Sequence, residues 1–250
     1  MAVRRLADPS MQPESFAFTA ENREWAKREI TKYPAGRQHS AIIPLLWRAQ
    51  EQSGGWLPQK AIEHVAEFLG MANMRALEVA TFYTMFNLAP VGRFHVQLCG
   101  TTPCVLRGAD KLIALCHERI GEQQHVTADG KLSWIEVECL GACVNAPAAQ
   151  INYDYYEDLS SESLGQILDD LTSGKKVIPG PQVERQFSAP FGGPTTLTDP
   201  DLYAHERLDA SARQQPPTDD DAKKPGTAAN VRDAAVSKPP VGDSSAKGHS

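Results

Sequence analysis

Four cysteines fall in two short pairs, Cys99 and Cys104 in CGTTPC and Cys139 and Cys143 in CLGAC. Thiolates bind soft metals, and two pairs closing on one point supply the four ligands of a single centre. The gaps, C-x4-C and C-x3-C, lie in the range used by four-cysteine zinc sites. They serve equally for a [2Fe–2S] centre, in which each of two irons takes two thiolates. Spacing leaves iron–sulfur and zinc both open. A dithiol–disulfide pair of the C-x-x-C kind is a poorer match, because neither pair has that spacing. The plant-type ferredoxin run C-x4-C-x2-C does not occur.

The composition favours a metal over a disulfide framework. The five cysteines leave one odd thiol, Cys116, and a chain of 250 residues has enough core to fold without covalent staples. No segment combines a charged start with the apolar run of a secretory signal, and none is apolar enough to cross a bilayer. The expectation is a reducing compartment, with no direct membrane insertion. A net charge of −6 argues against a nucleic-acid surface.

The elements that must position the cysteines can be read from periodicity. Residues 1–17 carry little pattern and are expected to be a flexible lead-in. Residues 18–89 read as a helical bundle. Thr19 caps a first helix that stops before Pro34, and a second runs from about Ser40 to Gln52 and ends at Gly54-Gly55. A third carries Ile62, Val65, Ala66 and Leu69 at i, i+3, i+4 and i+7, with Gly70 as its C-terminal cap. A fourth runs from about Asn73 to Phe86. In 90–178 the period falls to two, and Phe94, Val96 and Leu98 mark a strand that delivers Cys99. A helix over Val105–Arg119, a strand over Trp134–Glu138 delivering Cys139, and a third strand over Ala148–Asn152 follow. After a short fourth strand near Tyr155, a helix capped by Ser160 carries Leu164, Ile167, Leu168 and Leu171. The fold class is therefore α+β: an N-terminal helical bundle, then a small α/β domain of thioredoxin-like order. Residues 179–209 read as an extended partner-docking arm. Residues 210–250, rich in Pro, Ala, Ser, Asp and Lys, read as a disordered tail.

Other residues have plainer readings. Cys116 lies on the apolar face of its helix and is expected to be a buried thiol. His95 and His117 match no ligand pattern. Trp56, Phe82, Tyr83, Met85 and Phe86 read first as core, and Glu157 and Asp158 as solvated. No dinucleotide or phosphate-loop fingerprint occurs, so no nucleotide site and no catalytic residue is expected on this chain.

Longer motifs decide between the metals. GGWLP at 54–58, EVATFYTMFN at 78–87, PVGRFHVQLCGTTPC at 90–104 and CLGACVNAPAAQINYDYYEDL at 139–159 closely resemble one family. That family is the [2Fe–2S] (24 kDa-type) subunit of respiratory complex I, NADH:quinone oxidoreductase. The resemblance covers roughly residues 18–199, including GPQVERQFSAPFGG, and leaves out the tail. It implies one [2Fe–2S] cluster, and since a short loop most easily places both of its thiolates on one metal, Cys99 and Cys104 are expected on one iron and Cys139 and Cys143 on the other. The partners it implies are a large flavoprotein subunit carrying FMN and the NADH site, and other iron–sulfur subunits of the peripheral arm. It places the chain on the cytoplasmic face of a bacterial inner membrane, or the matrix side in a mitochondrion. The same module occurs in the diaphorase parts of NAD-linked hydrogenases and formate dehydrogenases. A zinc-stabilised interaction module is the reading from another class, and a thiol–disulfide oxidoreductase is a weaker one.

Overall fold

The protein was analysed as a computed structural model, which describes residues 4–185, 187–190, 192 and 195–199. The expected tail over 210–250 and part of the arm lie outside the described residues.

Four helices build the N-terminal core: α1 (Ala20–Ile30), α2 (Ile42–Gln52), α3 (Gln59–Leu69) and α4 (Asn73–Phe82). Each has a local cause. The Thr19 hydroxyl accepts the Asn22 N–H at the start of α1. Pro58 precedes the first turn of α3, and Gly70 closes it in the left-handed conformation. Leu45, Leu46, Leu57, Ile62, Val65 and Phe86 are buried together as the bundle's core. The GGWLP and EVATFYTMFN motifs meet there: the Leu57 N–H donates to the Asn87 carbonyl, and the Asn87 amide donates to Gly55 O. Buried Gln50 ties both: its backbone carbonyl accepts the Gly55 N–H, and its side chain donates to Met85 O at 3.1 Å and accepts the Asn87 N–H at 2.7 Å.

Two expectations need correction. The fourth helix stops at Phe82 rather than Phe86, because Tyr83 is already extended. Phe82 is 76% exposed, whereas Phe86 is fully buried. The lead-in is not loose where it is described. Arg4 donates to the carbonyls of Ala80 and Thr81, which α4 leaves open as it ends, and to those of Tyr83 and Phe86 in the segment just beyond it. The Ala7 N–H donates to Leu88 O, and Leu6 and Phe16 pack on the bundle. Charge-assisted hydrogen bonds contribute about 1.5–3 kcal/mol. Arg4→Ala should therefore lower stability to denaturant by about 2 kcal/mol, and an unchanged unfolding midpoint would show that the cap contributes nothing.

The second core belongs to a mixed sheet in the order β2–β1–β3–β4–β5, with strands Phe94–Cys99 (β1), Leu132–Val137 (β2), Ala149–Ile151 (β3), Asp154–Glu157 (β4) and Gly180–Pro181 (β5). β1 runs parallel to β2, in register from Phe94 opposite Leu132 to Cys99 opposite Val137. β3 is antiparallel to both β1 and β4. The expected single helix between β1 and β2 is two: α5 (Thr102–Leu106) and α6 (Ala109–Arg119). Gly108, at φ +98, breaks it in a conformation that side chains resist. Helix α7 (Ser161–Thr172) starts at a Ser160–Ser163 capping box and packs Leu164, Ile167 and Leu168 into the core. Trp134 anchors the centre, fully buried, with its indole N–H donating to Gly121 O at 2.8 Å. Cys116 is buried there as expected, and burial pushes its thiol up to about 12.

Candidate metal centre

All four paired cysteines arrive at one end of the sheet. Cys99 is the last residue of β1. Cys104 follows inside α5, so the helix begins before this residue rather than after it. Between them Gly100 lets the Glu136 side chain lie against the backbone, where a Cβ would sit 1.9 Å from its carboxylate and push it aside. Both sulfurs are buried in a small apolar cluster with Ala109 and Ala146, beside Leu140. The second pair lies just beyond β2 on a loop turned by Gly141 at φ +79. Cys143 opens a single 3-10 turn, Cys143–Asn145, and both thiols of this pair are exposed.

The pairs converge. The Cys139 and Cys143 sulfurs are 3.6 Å apart. Two thiolates held at about 2.3 Å from one tetrahedral metal would be ~3.8 Å apart, so this pair fits chelation of a single atom. The Thr101 hydroxyl lies 3.2 Å from Cys99 Sγ and also interacts with Cys139. Burial disfavours a Cys99 thiolate, yet hydrogen bonds from Thr101, the Leu140 backbone and the Cys104 thiol outweigh it and lower its pKa. Burial, then the neighbouring Cys99, push Cys104 up to about 11. The Gly141 N–H, 3.4 Å from Cys139 Sγ, leads in lowering the Cys139 pKa, and Cys139 in turn raises that of Cys143. Each pair thus holds one thiol whose ionisation its surroundings ease and one whose ionisation they oppose, and a bound metal takes both as thiolates. Two chelating pairs of thiols are the donor set that a four-thiolate [2Fe–2S] centre requires.

The loop bearing the second pair is held from outside. Arg185 clamps Asp158 through Nε and an Nη at 2.8 and 2.9 Å and donates to the Val144 carbonyl at 2.9 Å. The Asn145 amide donates to Glu157 at 2.5 Å and to Phe187 O at 2.9 Å. Glu157 and Asp158 are therefore partnered rather than simply solvated. Sequence reasoning missed Arg185 and Asn145 as supports. Asn145, two residues after Cys143, was within sight of the motif, whereas nothing local marks Arg185.

His95 and His117 take no part. His95 is buried on β1 with Nδ1 2.8 Å from Ser133 Oγ, and His117 lies edge-on to Trp134. Among the described residues no group of His, Cys, Asp and Glu surrounds a single ion, and no helix is long and apolar enough to cross a membrane.

Known proteins similar to this chain include both solved structures and sequence relatives. Among solved structures, an air-oxidized NAD+-reducing [NiFe]-hydrogenase is 21% identical at a TM-score of 0.46, over 52% of this chain and 23% of that one. The first of the E-type subunits of NADH-quinone oxidoreductase in Rhizobium meliloti (strain 1021) is 51% identical over 250 residues, 96% of this chain and 90% of that protein. The E-type NADH-quinone oxidoreductase subunit of Rickettsia bellii (strain RML369-C) is 57% identical over 158 residues, 63% of this chain and 95% of that protein. The family model described as thioredoxin-like [2Fe–2S] ferredoxin matches residues 26–172, which span both pairs of cysteines. With that match added to the sheet order and the two thiol pairs at its end, the chain belongs to the thioredoxin-like [2Fe–2S] ferredoxin family.

Proposed function

We propose that the chain is the electron-transfer subunit of an NADH:quinone oxidoreductase, with Cys99 and Cys104 holding one iron of a [2Fe–2S] cluster and Cys139 and Cys143 the other. The observation that carries this reading is the convergence of two chelating thiol pairs in a chain 51% identical, over nearly its whole length, to an NADH-quinone oxidoreductase subunit. When bound, the cluster supplies one-electron transfer.

The chain's own groups set its surroundings. Burial of Cys99 and Cys104 keeps water from one side, and the exposed Cys139 and Cys143 leave the other side open to a partner. The Gly141 N–H and the Thr101 hydroxyl stabilise negative charge on sulfur. A hydride donor such as NADH gives up two electrons together, so a flavin must stand between it and a one-electron centre. The partner is accordingly the large subunit carrying FMN and the NADH site, with other iron–sulfur subunits of the peripheral arm beyond it. The complex is a translocase at the cytoplasmic face of a bacterial membrane. The chain alone performs no NADH chemistry.

The test begins with the anaerobically purified chain. About two irons and two acid-labile sulfides per chain are expected, with an EPR signal from one unpaired electron after dithionite reduction. A colourless protein with one zinc would refute the cluster. NADH:ferricyanide activity should be absent in the isolated chain and present after co-elution with the flavoprotein. Turnover by the chain alone would overturn the assignment.

A further inference from the structure

We propose that Arg185 is a positioning residue for the cluster, locking the Cys139–Cys143 loop to the arm that begins at Gly180. The inference rests on the reading of Cys143 as an iron ligand. The two cysteine pairs differ in what holds them. Cys99 ends a strand paired on both sides, and Cys104 sits inside a helix. Cys139 and Cys143 sit on an exposed loop whose only regular structure is one 3-10 turn. A ligand pair on such a loop keeps its geometry only if something outside the loop fixes it.

The arm supplies that support by two routes. Gly180–Pro181 adds a strand to β4, which carries the arm across the loop. Arg185 then bonds the carbonyl of Val144, the residue directly after Cys143, while its fork is neutralised by Asp158. Both side chains of this pair are largely buried, 7% and 11% exposed, so the contact is unlike the molecule's surface ion pairs. Asp158 adopts φ +52, unusual for a side-chain-bearing residue, and from there its N–H donates to Asn145 O at 2.7 Å. The second route is Asn145 itself. Its amide donates out of the loop, to Glu157 and to the Phe187 carbonyl, and its buried Oδ1 has no partner among the described residues. The arm and the end of β4, rather than the loop, orient this amide. Val144 and Asn145 are thus fixed from outside, immediately beyond Cys143.

An arginine suits this place better than a lysine. Its planar fork bonds a carboxylate with two N–H groups and a carbonyl with another, whereas an ammonium is a single point charge. Outer partners that orient metal ligands typically change metal retention 10–100-fold when removed.

The experiment uses the full chain loaded with iron and sulfide under anaerobic conditions. Arg185→Ala, Arg185→Lys and Asp158→Asn are compared with the wild type, and Arg119→Ala serves as control, since it breaks an exposed ion pair to Asp169 between α6 and α7. Asparagine tolerates the positive φ at position 158, so that variant removes charge without new backbone strain. Iron release to a chelator, the EPR spectrum of the reduced protein and its midpoint potential are recorded, with thermal unfolding of the same samples. Arg185→Ala should release iron about tenfold faster or more, with a shifted EPR spectrum. Arg185→Lys should recover part of the loss, and Arg119→Ala should match the wild type. If Arg185→Ala fails to fold, Arg185→Lys and Asp158→Asn decide by the same readouts. Wild-type release and spectrum in these variants, in a chain that holds its two irons, would overturn the proposal and leave the cluster assignment standing. Release that merely follows the fall in melting temperature, with an unchanged spectrum, would also overturn it. A wild-type chain without iron and sulfide overturns the cluster assignment, and this proposal with it.

Discussion

Replacing any one of Cys99, Cys104, Cys139 or Cys143 with alanine is expected to take iron from about two per chain to near zero, while Cys116→Ala keeps it. Each iron in a four-thiolate cluster depends on two cysteines, and alanine offers no atom to take the place of a sulfur. The five cysteines also separate by their surroundings. Cys139 and Cys143 are exposed, so alanine there removes a ligand at little cost to the fold. Their variants should retain wild-type melting of the cluster-free chain. Cys99 and Cys104 lie in a small buried cluster with Ala109 and Ala146, so their loss also opens space in the core. Cys116 lies in the other core, fully buried, and its replacement should cost roughly 1 kcal/mol with the spectrum intact. Iron and sulfide analysis of the five variants beside circular dichroism tests this. Full cluster content in any of the first four, or its loss from a folded Cys116→Ala, would refute the ligand assignment.

The contrast between Cys116 and the other cysteines was legible in the sequence for a local reason. Cysteine pairs at short spacing, delivered by a strand with period two, state their chemistry within a few residues. So did most helices, because Ile62, Val65, Ala66 and Leu69 or Leu164, Ile167 and Leu168 repeat an apolar face. What stayed illegible depends on distant partners. VLRGAD continues the helical pattern through Gly108, and only the packing of two separate helices reveals the break. Arg4 looks like any charged residue until the open carbonyls of Ala80 and Thr81 at the end of α4 lie beside it. Asp158 and Arg185 are far apart in sequence, so Asp158 read as a solvated charge and Arg185 only as part of the arm, although the two form a buried ion pair. The choice of iron over zinc came from extended motifs, since a 3.6 Å pair of sulfurs chelates either metal.

A second large effect should appear as a pH dependence of stability carried by one residue of β1. His95 is buried, and loss of water around its ring brings its pKa from the ordinary 6.5 down to about 4. Its Nδ1 faces Ser133 Oγ at 2.8 Å, and that oxygen already accepts the Gly92 N–H. The Ser133 hydroxyl can meet Nδ1 as donor or as a second acceptor, so what opposes protonation is the burial of a charged ring rather than the loss of this contact. With the folded pKa depressed, the unfolded chain binds the proton more readily between about pH 6.5 and 4. Stability is therefore fully present above pH 6.5 and is lost as pH falls towards 4. The total is about 3 kcal/mol, of which roughly 2 kcal/mol should disappear between pH 6.5 and 5. Carboxylates titrate in the lower part of that window, so the informative quantity is the difference between wild type and His95→Gln. Glutamine keeps an acceptor for Ser133 and cannot be protonated. Denaturant unfolding of the cluster-free chains from pH 7.5 to 5 should show the wild type's advantage shrinking by about 2 kcal/mol as the pH falls. Parallel curves would mean that His95 titrates at its ordinary pKa in the folded chain, and that burial on β1 does not govern its charge.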